Sequence, residues 1–328
     1  MSIVSASDSG SSSNPTDVSA SNRCASKVCA ALVAIQRYDD SIFTNPMLEK
    51  LGVYTTKNHD HPRWLPHASS VPSPYLDRST ADRNPALRPP QKLPWDANRT
   101  ALEWATHFSE MATLLARPTA DTPQPAAKPP PDSSARPSPF NWDNPMERLL
   151  AKGEAYPDYQ TWRWKATALL RAKGEGPNGC RSVGCIAFDD SCDSLPAHLP
   201  YRRSELLCLV TLVCHAMSSK PVNTPIAATL LMFTTTTLRV LQMRIDPNDH
   251  DDPDGPNLYI TTRDTLSLDK ITSEAGHGDW LQVISWLRFR FASHQAAPSE
   301  ELFPKDEGSE TASDCGDDGG SPSSSRSG

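Results

Sequence analysis

Nowhere in the 328 residues does an apolar run approach the roughly twenty that a helix needs to cross a bilayer. The longest candidate, LLCLVTLVCHAM at residues 206–217, is about half of that and reads as a buried helix of a soluble protein. Glycine is also scarce: fifteen stand against thirty-one prolines. Proline has no backbone donor, so neither helix nor central strand runs where it clusters. Eight prolines fall in residues 62–94 and eight more in 118–139, which read as a meandering arm and a semi-rigid linker. The only prolines three apart are Pro253 and Pro256, so the linker is a spacer rather than a P-x-x-P ligand.

A basic surplus is missing too. The net charge of -7 is carried largely by Glu300, Glu301, Asp306, Glu307, Glu310, Asp314, Asp317 and Asp318, beyond residue 299. The remainder is nearly neutral, which argues against long-range attraction to phosphate backbones. No secretory h-region opens the chain, and no arginine precedes Arg23. These absences predict an intracellular protein, cytoplasmic or nuclear. Its eight cysteines are then expected as thiols rather than a disulfide framework.

Catalytic signatures are absent as well: there is no G-x-S-x-G, H-E-x-x-H or G-x-x-x-x-G-K-[ST], and no lysine has a carboxylate two residues before it. Gly174, Gly176 and Gly179 match G-x-G-x-x-G. The match contains Pro177 and precedes a strand-like run, the reverse of a dinucleotide loop. The acidic loop at 246–254 fails as an EF-hand, because His250 and Thr261 occupy its first and twelfth positions. No cofactor is expected, and an enzyme is the less favoured reading.

What is present is amphipathic patterning. Val28, Leu32 and Ile35 give a helix at 24–38, while Asn45–Pro46 and Asn144–Pro145 open two short ones. Trp104, Phe108, Met111 and Leu115 make one stripe of a helix at 96–116, with Asp96 as its cap. Trp162, Ala166 and Leu169 predict a helix over 158–173, and SVGCIAF at 182–188 a strand. Residues 201–218 read as a central helix, 228–246 and 257–268 as an antiparallel pair, and 280–291 as a last helix begun at Asp279. The expected class is α+β, an antiparallel sheet packed with several helices and flanked by disordered termini. The expected organisation is a Ser-rich tail (1–23), helical segments with the Pro-rich arm (24–117), the linker (118–139), a globular domain (140–296) and an acidic tail (297–328).

Residues 195–266, with PYRRSELLCLVTLVCHAM, NTPIAATLLMFTTTTLRVLQMRID and NLYITTRDTLSL, resemble uncharacterised fungal proteins with low-complexity ends. That resemblance implies no activity and assigns no functional residue.

Two constellations suggest chemistry. Cys180, Cys185, Cys192 and His198 supply four candidate ligands in nineteen residues, enough for tetrahedral zinc. Their spacing lacks the tight pairs of structural zinc sites, and a small thiol within an apolar strand needs no metal to explain it. Trp162, Arg163, Trp164 and Lys165 interleave aromatic faces with cations, which suits bases and phosphates. The plainer expectation is a packed aromatic beside a solvated basic face. Asp189, Asp190, His277 and Asp279 would have to converge for acid–base catalysis. The leading expectation is a non-catalytic protein that binds a protein partner, then a nucleic-acid binder, then a hydrolase or metal enzyme.

Overall fold

The computed structural model describes residues 15–39, 41–56, 72–73, 100–116, 135–157, 161–172, 180–191, 201–218, 224–247, 257–268, 271 and 277–291. In chain order the elements are α1 (Pro15–Arg37), β1 (Ile42–Phe43), α2 (Asn45–Lys50), β2 (Val53–Thr55), β3 (Pro72–Ser73) and α3 (Ala101–Ala116). There follow β4 (Ala135–Ser138), α4 (Pro145–Lys152), β5 (Glu154–Ala155), β6 (Trp162–Ala172), β7 (Arg181–Asp189) and β8 (Tyr201–Arg202). The chain continues with α5 (Arg203–Ser218), β9 (Ile226–Phe233), β10 (Thr237–Ile245), β11 (Leu258–Ser267), α6 (His277–Trp286) and β12 (Arg290–Phe291). No helix among the described residues is long and apolar enough to cross a membrane.

The class is α+β. One eight-stranded sheet runs β2-β11-β10-β9-β7-β6-β4, with β5 also paired to β6. The sheet is mixed rather than purely antiparallel. The expected antiparallel pair is present in β10 and β11, but β7 and β9 are parallel, as are β11 and β2. Parallel neighbours need a crossover, and α5 supplies it between β7 and β9.

Central position explains the composition of β9. Its eight residues, IAATLLMF, are buried throughout, as expected of a strand covered on both faces. Alternate side chains feed two cores. Ala228, Leu230 and Met232 join α1 and α5 on one side, while Leu231 and Phe233 join α3 and α6 on the other. The helix α3 therefore docks: Phe108 stacks on Phe233 at 5.1 Å between ring centroids and meets Trp280 at 5.5 Å.

Several boundaries differ from the sequence expectation. The helix α1 starts at Pro15, inside the segment read as a tail. The strand β4 lies inside the segment read as a linker, where Pro137 sits on an edge strand opposite Leu170. The cap of α3 is Thr100, whose hydroxyl accepts from the Glu103 amide while the Glu103 carboxylate accepts from the Thr100 amide, a reciprocal capping box. Asp96 lies outside the described residues. Asn144 does cap α4, accepting from Met146 and Glu147, whereas Thr44 rather than Asn45 occupies the cap of α2.

The largest correction concerns residues 158–173. Trp162–Ala172 is a strand, not a helix, and is hydrogen-bonded to β7 along most of its length. Residues 158–160 and 173 lie outside the described residues.

Candidate binding groove and a buried charge cluster

Because β6 is a strand, its basic and aromatic residues do not share one face. Trp164 is buried, and its indole N–H donates to Glu154 at 3.1 Å. Arg163 turns to the same carboxylate at 3.7 Å. Lys165 instead places its ammonium 4.7 Å above the Trp162 ring, and Trp162 is 39% exposed. The four residues singled out for nucleic acid are thus divided between a charge cluster and a groove.

That groove runs along the outer edge of β6. Its neighbour β4 pairs with Leu169–Ala172 and β5 with Trp162 and Trp164, so neither covers residues 165–168. The helix α3 forms one wall with Leu102, Thr106 and Glu110, and the segment after β4 forms the other with Pro139, Phe140 and Trp142. The groove encloses about 680 Å³. Its floor is fixed by the Ser109 and Thr167 hydroxyls, 2.7 Å apart, which tie α3 to β6. Thr167 is the extra residue of a bulge, since Ala166 faces Ala187 and Ala168 faces Ile186.

Six large apolar side chains are exposed among the described residues: Val33, Tyr54, Leu102, Leu114, Trp142 and Trp162. Leu102, Trp142 and Trp162 all line this groove. Scattered exposed apolar residues are ordinary, whereas their convergence on one concave surface marks an interaction site.

The charge cluster lies at the β7–α5 junction. Glu205, fully buried, receives Arg239 on both oxygens and the Arg202 amide at 2.8 Å. Burial raises its pKa, against the opposing pull of Arg239. Asp189 accepts from Ser204 and Ser191, and Arg202 lies 3.6 Å away. Arg203 donates to Glu154 at 2.6 Å and to the Ile35 and Gln36 carbonyls, satisfying acceptors at the end of α1. The cavity among these groups is only about 10 Å³, room for about one water. The cluster therefore joins elements and holds no substrate-sized space.

Of the acid–base set, Asp189 is already engaged by Ser191 and Ser204. Asp190, raised by burial, accepts from the Ala101 amide at the start of α3. His277 and Asp279 begin α6. No group of three or more His, Cys, Asp or Glu side chains suited to a metal occurs among the described residues.

The zinc set is likewise divided. Cys185 belongs to the α1/α5 core, where it lies beside Cys208, while Cys180 packs with Ala227. The two lie about 16 Å apart along an extended chain, and an odd separation of five residues points them to opposite faces. Burial pushes the Cys180 thiol up to about 12. Cys192 and His198 lie outside the described residues.

The sequence reading found Trp162 and Lys165 but missed the groove, because Leu102 and Trp142 reach it from distant segments. No protein-family model, no curated protein and no solved structure matches the chain.

Proposed function

We propose that the protein is a non-catalytic binding module whose groove between α3, β4 and β6 takes an extended, proline-bearing segment of a partner protein. One observation carries this reading: Leu102, Trp142 and Trp162 converge on a single concave surface. Flat aromatic rings suit the ridges of a polyproline II segment, which loses little entropy on docking. Glu110 and Lys165 offer the groove one charge of each sign, so a segment with a basic and an acidic residue flanking its prolines would be oriented. The six described cysteines are all free thiols, which suits an intracellular location.

Single-stranded nucleic acid is less well served. Arg163 pairs with Glu154, and Glu110 adds a carboxylate to the groove wall.

The test is a tryptophan-fluorescence titration of the full chain with a ten-residue proline-rich peptide bearing one Arg and one Glu, and separately with oligothymidylate. Peptide binding that weakens at least tenfold, about 1.4 kcal/mol, in Trp162→Ala and Trp142→Ala supports the reading. Oligothymidylate binding without peptide binding would replace it with the nucleic-acid alternative. Equal peptide affinity in wild type and both variants would remove the groove from the function.

A further inference from the structure

Two thiol pairs meet on opposite flanks of α5. Cys208, within the core, lies beside Cys185 of β7, and both are completely buried. Cys214, 8% exposed and six residues nearer the end of α5, lies beside Cys29 of α1. Cys29 is exposed. Both pairs are neighbours, but only the second includes a thiol open to a reagent in solvent.

The helices carrying the open pair already pack together. Cys24, Val28, Leu32 and Ile35 of α1 share one core with Leu206, Val210 and Val213 of α5. Closing the pair brings the two sulfurs to the S–S bond length of about 2 Å.

We propose that Cys29 and Cys214 are a redox modification site, closing to a reversible disulfide that ties α1 to α5 when the exposed thiol meets a peroxide. In the first step the Cys29 sulfur attacks one peroxide oxygen, the O–O bond breaks, and Cys29 becomes a sulfenic acid as one water leaves. In the second, the Cys214 sulfur displaces hydroxide from that sulfenic acid, and the thiol proton leaves with it as a second water. Two thiols lose two electrons and two protons in all, and one hydrogen peroxide becomes two waters. A dithiol reductant reverses the bond by exchange.

The order of attack follows from the surroundings. Burial pushes Cys214 up to about 12, with the Cys29 sulfur adding to the shift, so Cys214 is held as a thiol. It therefore acts as the resolving partner, and solvent-facing Cys29 takes the oxidant. This site is independent of the groove, because it lies on the α1/α5 side of the sheet.

The experiment treats the full chain with hydrogen peroxide, blocks remaining thiols, and maps peptides by mass spectrometry without reduction. A linked peptide joining residues 29 and 214, lost with dithiothreitol, is expected, while Cys185 and Cys208 are recovered as blocked thiols. The oxidised protein should melt at a higher temperature than the reduced form, and Cys29→Ser should lose both the link and the shift. In Cys214→Ala the sulfenic acid at residue 29 should persist and react with dimedone. Cys29 linked to Cys192 or Cys315, linkage of Cys185 to Cys208 at the same rate, or a peroxide-treated protein with all thiols intact would each overturn the proposal.

Discussion

The Arg239 guanidinium places one nitrogen 2.8 Å and 2.9 Å from the two carboxylate oxygens of Glu205, and the side chains are 7% and 0% exposed. A pair so far from water is held between β10 and the first turn of α5. Removing one member leaves the other charge buried without its counterpart. Arg239→Met should therefore cost about 3–5 kcal/mol in urea unfolding, whereas the double change Glu205→Met, Arg239→Met should recover much of that loss. Equal destabilisation in the single and double variants would contradict the pairing.

Gly153 ends α4 at φ +58°, where a built Cβ would lie 2.1 Å from the Trp164 carbonyl oxygen and 2.8 Å from the Lys165 Cα. Both obstacles are backbone and cannot rotate away. Gly153→Ala is expected to cost about 3 kcal/mol and to separate β5 from β6. Amide exchange should quicken at Glu154 and Trp164 beyond its rise elsewhere.

Stability should fall as the solution is acidified from neutrality. His107 and His215 both have pKa values lowered by burial from the ordinary 6.5, Glu147 partly opposing the shift at His215 and Glu110 at His107. The unfolded chain then binds more protons, so this contribution is complete above about pH 6.5 and is lost as pH falls through the lowered folded values. Glu205, raised by burial, acts with the opposite sign in the carboxylate range. A pair of changes, His107→Gln and His215→Gln, should flatten the midpoint of urea unfolding between about pH 7 and 5.5. An unchanged slope would refute the assignment.

Asn144 caps α4 with two amide bonds, and its side-chain nitrogen lies 3.3 Å from the His215 ring. Asn144→Ala should lose about 1 kcal/mol, and Asn144→Asp should retain the cap. Thermal melting of the two variants separates the cap from general loss of packing.

The elements legible in the sequence were those whose period was undisturbed. SVGCIAF lies within β7, and the stripe of Trp104, Phe108, Met111 and Leu115 is the buried side of α3. The misread strand shows why periodicity can mislead. On one face of β6 lie Trp164, Ala166 and Leu169, because the bulge at Thr167 shifts the alternation by one residue. The resulting spacing of Trp162, Ala166 and Leu169 matches a helical turn, and WRWKATALLRA is rich in helix formers. Pairing with β4, β5 and β7 overrides that local preference. The Thr100–Glu103 box has its own signature in the sequence, T-x-x-E. The groove had no local signal, since its walls come from α3, the segment after β4, and β6.

The separation of apolar side chains into two clusters on either face of the sheet has a consequence for how substitutions combine. Val28 and Val210 lie in one cluster, Phe108 and Trp280 in the other. Their losses should sum when changed across the sheet and depart from the sum when changed within one face. The strands β6, β7, β9 and β10 each contribute to both, through neighbours such as Leu230 and Leu231, so a backbone displacement in these strands is the route by which one half of the interior feels damage in the other.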